Sequence, residues 1–226
     1  MGDIQLSRCV KIRELYSEIP SYLSALFAER EYPWEILPHI KEYASWLVSS
    51  GIVGYRRLRD GVLVGEGVKI YPGVVIEAPS VIGAFCEVRP GAFIRGSVIV
   101  GEKCVIGNST ELKNCILLDR VQVPHYNYVG DSVLGRGAHL GAGCVCSNLK
   151  TDGRSVVVHG EEDFDTGSRK VGAFLGDGAD IGCGCVLNPG SVIGKGTWVY
   201  PNSTLRGVFP SHSIVKSQTE IIEKCK

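Results

Sequence analysis

The residues able to do chemistry are concentrated in four short strings. They are Glu111-Leu112-Lys113-Asn114-Cys115, Pro124-His125-Tyr126-Asn127-Tyr128-Val129-Gly130-Asp131, Leu140-Gly141-Ala142-Gly143 and Asn148-Leu149-Lys150-Thr151-Asp152-Gly153. An imidazole titrates near neutrality, so His125 can serve as a general base. A lone histidine in a Pro-x-x-Tyr setting is more often a satisfied structural group, and Tyr128 can equally be a corner aromatic. The pairs Cys144/Cys146 and Cys183/Cys185 invite a metal reading. Zinc sites use Cys-x2–4-Cys spacing and four convergent ligands, so these thiols read as core filling and no metal is expected. His125, His139, His159 and His212 do not give the His-x4-His pair plus a third histidine that a zinc hydratase would need.

These strings must be held by something, and a period of six supplies it. Stepping by six from Val64 gives Ile70, Ile76, Ile82, Val88, Ile94, Val100, Ile106, Leu112 and Leu118; a second run goes from Leu175 through Ile181, Leu187, Ile193 and Val199 to Leu205. Every position is aliphatic. Four places on, small residues recur: Cys86, Ala92, Cys104, Thr110, Ala179, Cys185, Ser191 and Ser203. A six-residue period fits neither a helix face nor plain strand alternation. It fits short strands joined by tight turns, with aliphatics stacked inward and small residues at crowded corners. The pattern resembles the hexapeptide repeat of the left-handed parallel β-helix, an all-β fold with three hexapeptides per coil.

Composition divides the chain. Of 29 glycines, three (Gly2, Gly51 and Gly54) fall in the first sixty residues, which also hold two of the three tryptophans. Pro33 followed by Trp34, Leu37, Ile40, Tyr43/Ala44 and Leu47/Val48, with Gly51 as a stop, predicts a helix, and Pro20–Arg30 a shorter one. The expected organisation is a helical cap or linker over 1–60, a β-helix over 61–210 and a tail over 211–226. The cap is expected to cover the open end of the coil, as solenoids require, or to make oligomer contacts. Residues 148–170 break the six-step register and read as an idle insertion or a binding loop. Lysine plus arginine and aspartate plus glutamate both total 24, so no electrostatic footprint for nucleic acid or a membrane surface exists. No signal peptide or membrane-length apolar run is seen, and nine cysteines read as reduced thiols of a cytoplasmic protein.

Together, the four strings and the repeat resemble the acetyltransferase domain of the bifunctional N-acetylglucosamine-1-phosphate uridylyltransferase/glucosamine-1-phosphate acetyltransferases. They are closest to the archaeal-type sugar-1-phosphate nucleotidylyltransferase/acetyltransferases. The resemblance covers roughly residues 62–207, with a weaker echo at Tyr32-Pro33-Trp34-Glu35. It implies acetyl-CoA as co-substrate, an amino-sugar 1-phosphate as acceptor and a homotrimer, with no metal. His125 would be the base that activates the sugar amine, Tyr128 and Asn148 would hold the sugar, and Lys113 would bind the phosphate. Arg95, eighteen residues before Lys113, fits the phosphate-binding arginine by spacing; Arg89, in Arg89-Pro90-Gly91-Ala92, is the second choice by local sequence. Lys113 and Arg95 could also be a plain solvated face. Ala142 would face the thioester, and Arg154 stands where the family has a loop lysine. His139 replaces an asparagine, and Asp177 and Pro201 fall near the family's acetyl-CoA-binding serine and alanine. No glycine-rich nucleotide loop occurs, and residues 1–60 are too few for a nucleotidylyltransferase domain. The competing expectation is a non-catalytic sugar-phosphate or nucleotide-sugar binding or scaffold protein.

Overall fold

The computed structural model describes residues 10–224. From Val62 onward, strands of two to four residues visit three faces in turn and, with an antiparallel strand added at one end of each of the first two, form sheets of nine, nine and seven strands. The first face opens with Val62–Val64, the second with Lys69–Ile70 and the third with Val75–Ile76. Neighbouring strands within each face run parallel, and the whole is a left-handed parallel β-helix. Antiparallel strands close two sheet edges: Arg56–Arg59 pairs with Val62–Val64, and Ile221–Glu223 pairs with Ser213–Val215. Residues 211–224, expected as a tail, thus continue the solenoid and finish it. Unpaired strand edges invite association, and these short, partly charged strands cover them.

The inward aliphatics explain the coil. Val64, Ile82, Val88, Ile94, Val100, Ile106 and Leu112, then Leu175 to Leu205, lie in one continuous core. Fully burying each such side chain contributes about 1.5–3 kcal/mol. Ile70, on the first coil, stays 36% exposed. The corner residues Cys86, Cys104, Thr110 and Cys185 are buried, and the Cys86 Sγ donates to the Gly101 carbonyl at 3.0 Å. Burial, foremost, holds the Cys104 thiol well above its usual range, consistent with a protonated packing group. Tight stacking has a steric condition at Gly107, where a Cβ would lie 1.5 Å from the Pro124 carbonyl oxygen.

The first face is buried on both sides. Leu63, Val81, Ile99, Ile116, Val133, Phe174 and Val192 point outward into a second core shared with Leu15, Leu23, Phe27, Trp34, Ile36, Ile40, Ala44 and Leu47. The N-terminal segment therefore lies along this flank, not over the open end, because the flank offers it an unbroken apolar surface. Its expected long helix is split: a 3-10 stretch, Pro33–His39, contains Pro38 and precedes the α-helix Ile40–Ser50. Proline has no N–H to donate, so the α-helix begins after it. Glu35 accepts from the backbone N–H groups of Glu31 and Tyr32, fixing the start. The 148–170 excursion folds back into the same layer as a hairpin of Val157–His159 and Asp163–Asp165. Phe164 packs 5.3 Å from Tyr32 and 5.8 Å from Trp34, ring centre to ring centre.

Register fails at one corner. On the third face, Val75 pairs with Phe93 and Phe93 with Glu111, eighteen residues apart each time. Glu111 then pairs with Tyr128 and Tyr128 with Val145, seventeen apart, and Val145 with Val186, forty-one apart. The first two departures arise where the chain leaves the third face for the first, around Asn114 and Asp131, and the last contains the excursion. Leu118, expected inward, consequently faces the outer core, and Leu117 takes the inner position.

Candidate functional site

That corner gathers the polar side chains. Glu111–Lys113 and Tyr128–Gly130 are adjacent parallel strands on the third face, with Lys113 in register with Gly130. Alternation turns Leu112 and Val129 inward, leaving Glu111, Lys113 and Tyr128 half-buried on the outer side with Gly130 covered beneath them. The chain then turns through Asn114 and Asp131, both at positive φ (46° and 47°), conformations that asparagine and aspartate tolerate better than most residues. The Asp131 carboxylate accepts from Lys113 Nζ at 2.9 Å, from Asn114 Nδ2 at 2.8 Å and from Asn148 Nδ2. Gly130 leaves a shallow cradle beneath: a Cβ there would lie 2.5 Å from the Tyr128 hydroxyl and 2.8 Å from Asn148 Nδ2. Burial, then the Asp131 and Glu111 charges, raises the Tyr128 phenol pKa, against the hydrogen bond from Asn148. The phenol therefore stays protonated beyond the ordinary tyrosine range.

Arg95 belongs to the same surface. Its Nη1 lies 2.7 Å from Glu111 Oε1 and its guanidinium 5.8 Å from the centre of the Phe93 ring. The Glu111 hydrogen bond, with its charge, holds the guanidinium even more firmly protonated than usual. Arg89 is placed apart, at the corner between second and third faces, paired with Glu87 at 3.0 Å. Arg154 is exposed; its backbone N–H donates to Asp152, and its side chain does not join the cluster.

His125 ends the strand Gln122–His125 on the second face and is exposed. Tyr126 turns the chain at φ 52°, and buried Asn127 pins the corner, accepting from the His125 N–H at 3.1 Å and donating to the Gly141 carbonyl at 2.7 Å. Ala142 occupies the equivalent turn of the next coil, where the Gly143 N–H donates to the His125 carbonyl at 3.0 Å. The His125 ring has no hydrogen-bond partner among the described residues. Tyr128 follows three residues later, around the corner. Asp177, expected near an acyl-donor position, is committed to the protein's own N-terminal segment: its carboxylate accepts from the Ser17 N–H at 2.7 Å and the Arg136 N–H at 2.8 Å. His139 pairs instead with Asp180 at 2.7 Å.

The structure thus brings Lys113, Tyr128 and Asn148 together, sets Arg95 beside them, and stacks Ala142 on His125. The residue with no role assigned from sequence is Asp131. No periodic signal marks it: one coil after Lys113 comes Gly130, and Asp131 lies in the turn that follows. A cavity of about 610 Å³ lies elsewhere, between the N-terminal segment and the hairpin, lined by residues including Lys11, Tyr32, His159 and Arg206. None of the residues expected from sequence lines it. Among the described residues, no group of three or more His, Cys, Asp or Glu could hold a metal ion, and no helix is long and apolar enough to cross a membrane.

Residues 76–163 match the family model described as the GMPPB C-terminal domain. The chain is 29% identical over 233 residues to the bifunctional protein GlmU of Methanococcus aeolicus, the match covering all of this chain and 56% of that protein. It is 33% identical over 178 residues to the bifunctional sugar-1-phosphate nucleotidylyltransferase/acetyltransferase of Sulfurisphaera tokodaii, covering 76% of this chain and 44% of that one. Among solved structures, PerB from Caulobacter crescentus, in complex with CoA and GDP-perosamine, matches with a TM-score of 0.41 and 18% identity, over 65% of this chain and 52% of PerB. The chain spans about half the length of the curated relatives it matches. It is a homologue of the bifunctional GlmU-type proteins, aligned along its whole length with part of theirs.

Proposed function

We propose that the protein is a CoA-dependent N-acetyltransferase acting on an amino-sugar 1-phosphate of the glucosamine 1-phosphate kind. The observation that carries this reading is the gathering of Lys113, Tyr128 and Asn148 around Asp131, one corner away from His125 and Ala142 in successive coils. The phosphate binds between Arg95 and Lys113, whose remaining N–H groups add to their existing pairs with Glu111 and Asp131. Tyr128 and Asn148 orient the sugar. His125 accepts the proton of the sugar amine as its nitrogen attacks the thioester carbonyl. The Ala142 N–H, with no acceptor among the described residues, donates to the oxyanion that develops. Collapse forms the amide and releases the thiolate of CoA, which takes the proton back from the imidazolium. GlmU-type relatives and the name of the Sulfurisphaera protein support this chemistry.

The cluster lies on an open surface, and a homotrimer in which a neighbouring copy walls it in completes the reading. Light scattering should give a trimer mass at micromolar concentration; a monomer would remove this part. The activity itself is tested by thiol release from acetyl-CoA with glucosamine 1-phosphate, corrected for the protein's nine cysteines. Turnover above the sugar-free rate supports the enzyme, and none up to millimolar sugar refutes it. One observation favours a second reading, a non-catalytic sugar-phosphate-binding protein. Asp177 is occupied by the N-terminal segment at a corner where the acyl donor was expected. Titration calorimetry with acetyl-CoA separates the two: micromolar binding favours the enzyme, silence to millimolar the binder.

A further inference from the structure

Asp131 is the only charged residue among the described residues that is buried, at 4% exposure. A buried charge is costly unless its partners are well placed, and this one has three donors. Its effect on Asn148 is directional. An ionised carboxylate only accepts hydrogen bonds, so it holds the NH2 end of the Asn148 amide and turns the oxygen end away. The same nitrogen lies beside the Tyr128 hydroxyl above the Gly130 cradle. With one amide hydrogen held by Asp131, the other is the one available to the phenol oxygen, and a phenol that accepts it turns its own hydrogen outward. The open surface therefore presents a donor, Tyr128 O–H, next to an acceptor, Asn148 Oδ1. A hydroxyl both accepts and donates, and complements this pair.

We infer that Asp131 is a positioning residue that fixes the hydrogen-bond polarity of the site, setting Tyr128 to donate to, and Asn148 to accept from, one hydroxyl of the bound sugar. The assignment rests on the function proposed above. A carboxylate that merely held the corner together would leave the identity of the outward atoms irrelevant.

Three variants of the full chain separate these roles, each followed by thermal midpoint, calorimetric binding of glucosamine 1-phosphate and steady-state turnover. Tyr128→Phe removes the outward donor and should keep the wild-type midpoint while raising KM about fivefold to tenfold. Asp131→Asn should lower the midpoint and raise KM roughly tenfold to a hundredfold, since a charged hydrogen-bond acceptor is lost. Combining Asp131→Asn with Asn148→Asp restores one charge and the mutual hydrogen bond with its ends reversed. The carboxylate now at position 148 draws the Tyr128 hydrogen inward, so only acceptors face the sugar. This double variant should regain most of the thermal midpoint while KM stays at least tenfold above wild type. Recovery of both midpoint and KM would overturn the inference, as would a Tyr128→Phe protein with wild-type KM. If the double variant does not fold, Tyr128→Phe decides alone. A wild-type protein that neither binds nor acetylates the sugar phosphate overturns the proposed function and this assignment together; any variant result obtained beside an active wild type bears on the assignment only.

Discussion

Two stretches of the same solenoid behave differently. From Val62 to Phe93 each strand meets its partner eighteen residues on, and the surface repeats from coil to coil. From Glu111 to Val145 the third-face partner is seventeen residues on, and then the 23-residue excursion 148–170 intervenes. In the regular stretch, stacked residues share one environment, as Cys86 and Cys104 do in the corner core. In the irregular stretch, one corner is shortened twice and then opened, so side chains from three coils (Lys113, Asp131 and Asn148) reach a common point. Regularity builds the core; its local failure builds a binding surface.

If this division is right, the largest loss of activity comes from the irregular stretch. His125→Ala should lower kcat by roughly 10²–10⁴ with the sugar KM within a few-fold, the usual size of a general-base contribution. A fully active variant would move the chemistry to another coil. In the regular stacking, the expected damage is to the fold. Gly83→Ala places a methyl 2.2 Å from the Gly101 carbonyl oxygen, a backbone atom that cannot rotate away. It should cost about 3 kcal/mol, read as a thermal midpoint roughly 10 °C lower. An unchanged midpoint would show that the coils are looser than this spacing requires.

Smaller effects sharpen the map of the phosphate. Lys113→Ala and Arg95→Ala should each raise KM for the sugar phosphate by the equivalent of about 1.5–3 kcal/mol, with kcat falling less, because the phosphate is remote from the reacting nitrogen. Arg89→Ala should be nearly silent, since its partner is Glu87 at a different corner. A strong effect at Arg89 beside a healthy Arg95→Ala would reassign the phosphate to the second-to-third corner.

The coil was legible from sequence because burial dictates its inward positions: Val88, Ile94 and Ile106 have no alternative that fills the same space. The shortened corner was not, and the reason is physical. Ile116, Leu117 and Leu118 are all apolar because the first face is buried on both sides, so a one-residue slip leaves an aliphatic at every expected step. The same feature hid the place of the N-terminal helices. Uninterrupted apolar strands such as Val62–Val64 and Val98–Val100 are a signature of two covered faces, and a count by sixes passes over it. At the candidate site, Lys113, Tyr128 and Asn148 stood out through the family resemblance, and His125 by residue type as well. Asp131 did not, since its role depends on a turn at φ 47° that no periodicity reveals.

The central claim is that the irregular corner holds the sugar phosphate, and Gly130 tests it most directly. A methyl at Gly130 would meet the flexible ends of Tyr128 and Asn148, at 2.5 and 2.8 Å, rather than backbone. Calorimetric titration of glucosamine 1-phosphate into Gly130→Ala, beside wild type, should give binding at least tenfold weaker at a thermal midpoint close to wild type. Wild-type affinity in a folded Gly130→Ala protein would contradict the account, because the cradle would then be filled without consequence for the ligand.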